Sequence, residues 1–165
     1  MTQGPHVSEF RVEKQRVDAV MTLSNGDSTF GSFFVAAASA HSPGPERVEE
    51  LLNADSGFFP FENRDAARAR TVLHNRSHIL MVALHTDEAR RDPGYEVAKR
   101  RFVSVLLSNG RRGSGAVRVY LPEGHDRLSD WARLPGAFRY VETTDSTTLL
   151  VNIAHVIEVS ETPEP

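Results

Sequence analysis

The chain contains no cysteine, so its histidines are the residues whose types and spacing best fit metal binding. His74 and His78 are four residues apart, as are histidine pairs that share one zinc ion on a helix. The surrounding residues favour a strand, in which four residues span about 13 Å, so one ion would not reach both. His85 follows seven residues later. We therefore predict no metal site and no cofactor, and we expect His78 and its counterpart His155 to orient turns.

A glycine-rich segment, G-R-R-G-S-G at residues 110–115, has the composition of a phosphate-binding loop. Such loops lead from a strand into a helix and often carry Gly-Lys-Ser/Thr. This segment lies between two predicted strands and contains no lysine, so a hairpin with exposed arginines is the simpler interpretation. Basic residues here could bind an RNA backbone or an acidic protein. The candidate interaction residues of this basic region are Arg111, Arg112, Lys99, Arg100 and Arg101.

Nucleophilic and acid–base catalysis have no sequence signature in this chain. Serine, histidine and aspartate are frequent, but none lies in a G-x-S-x-G segment. Glu46, Glu49 and Glu50 fall on the outer face of a predicted helix, which is typical of solvated carboxylates. We predict no catalytic residue and no enzyme, and an enzyme of unknown class is retained only as an alternative.

Length and composition favour one folded domain or two very small ones. The 165 residues are 39% hydrophobic and 25% charged, with a net charge of −3, which argues against a surface that is basic throughout. The first residues contain no apolar signal core, and no apolar run approaches the roughly 18 residues needed to span a bilayer. We expect a cytoplasmic protein without a membrane span.

The sequence repeats itself, since L-S-N-G occurs at residues 23–26 and again at 107–110. Further blocks recur in the same order, which indicates an internal duplication. The paired blocks are residues 10–17 with 95–102, 23–35 with 107–119, 47–52 with 127–132, 57–61 with 136–140, and 73–79 with 150–156.

The repeated blocks also predict local structure. Asn-Gly pairs tolerate a positive φ and indicate tight hairpin turns, and a glycine inside the following strand indicates a bend or a close backbone approach. Apolar residues at helical spacing predict one helix in residues 45–54 and another after Asp126, each followed by a glycine. The structural turn residues are Asn25, Gly26, Gly31, Asn109, Gly110 and Gly115.

Residues 58–61, F-F-P-F, form the densest aromatic cluster. Alternation along a strand buries Phe59 and Phe61, which the sequence alignment matches with Phe138 and Tyr140. Phe58 then faces the other way, and the cluster is expected either to pack in the core or, through Phe58, to form an apolar contact between the two copies or with another subunit.

We predict an α+β fold, mainly β, of two tandem β-β-α-β-β repeats that form bent sheets or small barrels with pseudo-twofold symmetry. The first repeat, with an N-terminal lead-in strand, spans residues 1–84. The connector spans residues 85–94. The second repeat spans residues 95–160, and residues 161–165 form a disordered tail.

Two segments, V-x-V-x-L-S-N-G-x-x-x-x-G and L-x-N-x-x-H-[IV], resemble the signature stretches of Sm-like (LSm and Hfq) small β-barrels. The chain is similar to a bacterial tandem-repeat family of this kind. The resemblance implies a barrel-like sheet and, through the family, nucleic-acid binding. The family's nucleotide-contacting Asp-x-x-x-Asn is absent, since residues 36–40 read A-A-A-S-A and residues 120–124 read Y-L-P-E-G.

Duplication of structure without duplication of a reactive group favours a non-catalytic protein-interaction or scaffold module. Such a module would offer strand edges, or the loop at residues 36–45, to a protein partner or to itself. The alternative is an Sm-like nucleic-acid or nucleotide binder that uses the basic hairpin of the second repeat.

Overall fold

Every strand in the part of the chain that the structure describes, residues 13–65 and 67–165, belongs to one antiparallel sheet. The structure is a computed structural model. The ten strands are β1 Lys14–Leu23, β2 Ser28–Ala36, β3 Phe58–Asn63, β4 Arg70–Asn75, β5 Ile79–Leu84, β6 Lys99–Leu107, β7 Arg112–Val119, β8 Phe138–Glu142, β9 Thr148–Asn152 and β10 Val156–Glu161. Two short helices, α1 Val48–Ala54 and α2 Leu128–Ala132, and three 3₁₀ turns, Arg76–His78, Glu88–Arg91 and Ile153–His155, connect them.

The expected fold class is wrong. The sheet is continuous, with the strand order β10-β6-β7-β8-β9-β5-β1-β2-β3-β4, rather than two β-β-α-β-β repeats in separate bent sheets or small barrels. The reason lies in β5, whose sequence I-L-M-V-A-L is apolar throughout. This strand pairs with β1 on one side and with β9 on the other, so it joins the two parts of the chain instead of closing the first.

The expected pseudo-twofold symmetry is also wrong. Residues 14–84 contribute the order β5-β1-β2-β3-β4, and residues 99–161 contribute β10-β6-β7-β8-β9. The two orders run in the same direction across the sheet, whereas a two-fold axis would reverse one of them and pair like strands. The two parts of the chain are therefore joined head to tail through β5 and β9.

Asn-Gly turns form the tips of the β1–β2 and β6–β7 hairpins. Gly26 and Gly110 have φ angles of 92° and 84°, in the left-handed region that favours glycine. The side-chain oxygen of Asn25 accepts a hydrogen bond from the Asp27 amide at 3.0 Å, and Asn109 accepts one from the Arg111 amide at the same distance. Each asparagine thus stabilises the turn that its own glycine permits.

The glycines inside β2 and β7 permit a close approach of the neighbouring backbone. A Cβ atom on Gly31 would lie 1.8 Å from the carbonyl oxygen of Glu62, and one on Gly115 would lie 2.7 Å from that of Glu142. Any side chain at these positions would displace β3 or β8.

The core consists of two apolar clusters, and β8 contributes to both. Phe33, Phe59 and Phe61 are buried in the first cluster, which also contains Phe138 from β8. Val141 of the same strand lies in the second cluster with Trp131. Phe138 therefore ties the second part of the chain to the core of the first.

The observed elements can be compared with the expected boundaries at both ends of the chain and at the connector. Residues 10–12 of the expected lead-in strand lie outside the described residues, and β1 begins at Lys14. The expected connector contains the 3₁₀ turn Glu88–Arg91, and β10 extends to Glu161. Within residues 13–65 and 67–165, no helix combines the length and apolarity needed to cross a membrane.

We predict that Gly31→Ala destabilises the protein by about 3 kcal/mol, because its methyl group would overlap the Glu62 carbonyl. Gly113→Ala is the matched control, since its Cβ would have no atom within 4 Å, and its effect should stay within about 0.5 kcal/mol. The free energy of unfolding in urea measures both. Equal effects of the two substitutions would contradict the close approach of β2 and β3.

Candidate protein interface at the edges of the sheet

The seam between β5 and β9, in the middle of the sheet, shows how the end strand of one five-strand segment pairs with the end strand of the other. Met81, Val82, Ala83 and Leu84 lie opposite Val151, Leu150, Leu149 and Thr148, respectively. Leu80, Val82, Leu84 and Leu150 are buried, so backbone hydrogen bonds and apolar packing act together along the seam.

Polar side chains from the second part of the chain complete this seam. The side-chain nitrogen of Asn152 donates to the carbonyl oxygen of Ile79 at 2.9 Å, and Asn152 is itself 2% exposed. His155 Nε2 donates to the Ser77 carbonyl at 2.6 Å. A buried amide that lost its partner would cost free energy, so these contacts select one alignment of the two strands.

A third polar contact lies where α1 meets β8. The Asn53 side chain donates to the Phe138 carbonyl at 2.9 Å and accepts from the Phe138 amide at 2.8 Å. Phe138 N–H and C=O lie at the first residue of β8, and Asn53 satisfies both. Helix α1 of the first part therefore positions the strand of the second.

The outer sides of β4 and β10 are not paired with any strand among the described residues. Three large apolar side chains are exposed at these ends of the sheet: Phe58 and Leu73 are each 64% exposed, and Ile157 is 63% exposed. Phe58 begins β3 directly beside β4, in the orientation that the sequence predicts, away from buried Phe59 and Phe61. Unpaired backbone groups beside exposed apolar side chains are the features that bind another strand.

His78 and His155 each connect a 3₁₀ turn to a hairpin tip. His78 Nδ1 lies 2.9 Å from Ser24 Oγ, and His155 Nδ1 lies 3.0 Å from Ser108 Oγ. His74 lies in β4, with Nε2 3.2 Å from the Asn63 side-chain oxygen. The described residues contain no group of three or more ligand side chains placed to hold a metal ion.

Acidic side chains neutralise most of the basic region. Lys99 Nζ lies 3.0 Å from Asp126, and Arg101 lies 2.9 Å from Glu161. Arg112 lies 2.6 Å from Glu158. Arg100 rests over the Phe102 ring, and Arg111 is exposed at the hairpin tip. The structure brings Lys99 and Arg101 together at Asp126 but does not gather all five basic residues into one site.

Sequence reasoning did not find the acidic partners of these cations. Asp126 precedes α2, and Glu158 and Glu161 belong to β10, whose pairing with β6 brings the two glutamates beside Arg112 and Arg101. Local sequence spacing does not predict these contacts. Arg112 and Glu158 are 46 positions apart, and Arg101 and Glu161 are 60 positions apart.

A cavity of 140 Å³ lies where α1, the connector and β7–β8 meet. The Arg118 guanidinium lies 3.6 Å from the centre of the Tyr95 ring and 3.0 Å from a Glu142 oxygen. The Tyr95 hydroxyl donates to the same carboxylate. These three polar side chains bind one another on one wall of the cavity, and Trp131, Leu134 and Phe138 contribute apolar lining.

Glu88 is buried in the connector, 3% exposed, close to Arg47. Burial raises the pKa of Glu88 from 4.5 to about 7, and the Val48 amide, the Tyr140 hydroxyl and the Arg47 guanidinium only partly oppose this rise. The sequence held no signal for it, since Glu88 lies in a polar segment that reads as a linker.

Comparison with known protein families, curated proteins and solved structures gives no match, so the interface is interpreted from its own geometry.

We predict that Glu88 makes the protein less stable as the pH rises. Between pH 4.5 and about 7 the folded protein keeps a proton on Glu88 that the unfolded chain has released, so raising the pH favours unfolding. The loss should reach up to about 3 kcal/mol by pH 8. In Glu88→Gln this part of the decline should disappear, whereas the exposed control Glu96→Gln should keep it. Parallel stability curves for wild type and Glu88→Gln would contradict the prediction.

Proposed function

We propose that this protein is a non-catalytic interaction module that binds strands of polypeptide chains along the two open edges of its sheet. The observation that carries the proposal is that, within residues 13–65 and 67–165, β4 and β10 each have a side that no strand pairs with, next to the exposed apolar residues Leu73 and Ile157. Addition of a strand at such an edge obtains affinity from backbone hydrogen bonds and specificity from the side chains on either face.

The edges lack two residue types that commonly protect a sheet against pairing, although β10 carries two glutamates and a register shift between Val156 and Glu158. Neither β4, R-T-V-L-H-N, nor β10, V-I-E-V-S-E, contains proline or lysine. Their charges differ, since β4 begins with Arg70 and β10 carries Glu158 and Glu161. The two edges therefore differ in their charged residues, with Glu158 and Glu161 already paired with Arg112 and Arg101.

We further propose that the two parts of the chain are copies of one unit. The support is the common strand order and the recurrence of individual contacts, such as the Ser24–His78 and Ser108–His155 hydrogen bonds. The Sm-like relationship stays a prediction.

Nucleic-acid binding is less well supported by the geometry. Lys99, Arg101 and Arg112 would have to leave carboxylates that already neutralise them before contacting phosphates. Arg100 and Arg111 have no ion pair among the described residues. They could contact phosphates directly and so add to the counterion release on which such affinity depends.

We predict that a photo-crosslinking amino acid placed at Leu73 or Ile157 gives protein adducts in the native cells, because both side chains lie at open edges. The same amino acid at Val97 is the matched control, since Val97 is 88% exposed but lies outside every strand. Gel mobility and mass spectrometry of the adducts measure the result. Absence of adducts at both edges, or equal adducts at Val97, would contradict the proposed function.

A further inference from the structure

We propose that the strand bound at each edge belongs to a second copy of this chain, with β10 of one copy pairing with β4 of the next. This inference rests on the proposed function and names its partner. The seam between β9 and β5 provides the template for the contact.

The equivalence of strands comes from the strand order. β5 lies beside β1 as β10 lies beside β6, and β4 lies beside β3 as β9 lies beside β8. Inside the chain, the β5-type edge of the first part meets the β9-type edge of the second. Of the two remaining edges, β10 corresponds to β5 and β4 corresponds to β9. The same contact is therefore available between two copies.

The exposed apolar residues occupy positions that the internal seam buries. Phe58 lies opposite Asn75, as Phe138 lies opposite Asn152. The strand pairing therefore matches Phe138 with Phe58, whereas the sequence alignment matched it with the next residue, Phe59. Leu73 corresponds in the same way to Leu150. The exposed fractions of Phe58 and Leu73 are 64% each, against 2% and 0% for Phe138 and Leu150.

The β10 edge repeats this contrast. Ile157 is the second residue of β10, as Leu80 is the second residue of β5. Ile157 is 63% exposed and Leu80 is 0% exposed. Each edge thus exposes the apolar side chain that its counterpart buries at the seam, and pairing of the edges would remove that surface from water.

Two polar side chains at the β4 edge also have counterparts that cross the seam. Asn75 accepts from the Ser77 amide as Asn152 accepts from the Ala154 amide. The Asn75 side-chain nitrogen and His78 Nε2 make no hydrogen bond within the described residues, whereas the same atoms of Asn152 and His155 bind Ile79 and Ser77. In the contact between copies they would donate to the carbonyl oxygens of Val156 and Ala154.

Transfer of the seam register predicts which residues face each other. Glu158 would lie opposite His74, Val159 opposite Leu73, and Glu161 opposite Thr71, next to Arg70. The apolar pair Met81–Val151 of the internal seam is thus replaced by a carboxylate facing an imidazole. Pairing of β10 with a second β10 would instead bring glutamates together, which disfavours that contact.

A head-to-tail contact leaves one open edge on each end of a dimer, so further copies add until a ring closes or a filament grows. Two variants test this directly. Leu73→Glu blocks β4, because it would face the acidic β10 strand, and Ile157→Glu blocks β10, because it adds a third carboxylate to that edge at a position that the seam buries. Both residues are largely exposed, so the fold should tolerate the changes.

We expect the wild type to sediment as assemblies larger than a dimer and each variant alone as a monomer, with association weakened about tenfold or more. An equimolar mixture of the two variants should give a dimer and nothing larger, because one open edge of each type remains. Val97→Lys should behave as wild type. A dimer of either variant alone, or no dimer in the mixture, would overturn the head-to-tail contact. A monomeric wild type whose edges crosslink to a different protein would overturn the second copy as partner and leave the proposed function standing.

We predict that engineered cysteines report the register, since the chain has none of its own. The double variant Leu73→Cys/Val159→Cys should form disulfide-linked oligomers under mild oxidation, because facing positions come within disulfide range. Leu73→Cys/Glu161→Cys is the control, displaced by two residues along β10. Non-reducing electrophoresis measures the linked species. Equal or stronger linkage of the control, or no linkage of either pair, would overturn this register.

Discussion

The antiparallel pairing of β5 with β9 is the interaction on which the rest of the structure depends. It converts two five-strand segments into one sheet, places Phe138 in the core of the first segment, and buries Leu80 and Leu150. Without it, β5 would be an exposed apolar edge, and the amide of Asn152 would lose its partner at Ile79. Hydrophobic burial and hydrogen bonding therefore favour the same alignment of the two strands.

The direction of the two segments has a consequence for the surface. Had they been related by a two-fold axis, the sheet would end in two identical edges. Because they are joined head to tail, it ends in one edge of each type, β4 and β10. Exposed Leu73 and Ile157 mark these edges, and their counterparts at the seam are buried. The internal seam thus describes a contact that the chain can also make with another copy of itself.

Several charged residues are paired with one another inside the molecule. Lys99, Arg101 and Arg112 pair with carboxylates, and Arg118 lies between Tyr95 and Glu142. Glu88 differs from these residues, since it is buried and its burial raises its pKa to about 7. The proposal of an interaction module therefore rests on the backbone edges and on the exposed apolar side chains beside them.

The sequence by itself determined local features, because these depend on neighbouring residues. Asn25 and Gly26 form their turn through a side chain and a φ angle that no distant contact supplies. Alternation likewise separates exposed Phe58 from buried Phe59 and Phe61. Only the tertiary structure decided that β5 pairs with β9 as well as with β1, that the strand orders of the two segments run in the same direction across the sheet, and that Arg112 meets Glu158. Backbone hydrogen bonds between strands are nearly independent of residue type, so they do not specify which strands pair. The choice between closing a small barrel and extending one sheet therefore depends on packing between residues more than 60 positions apart.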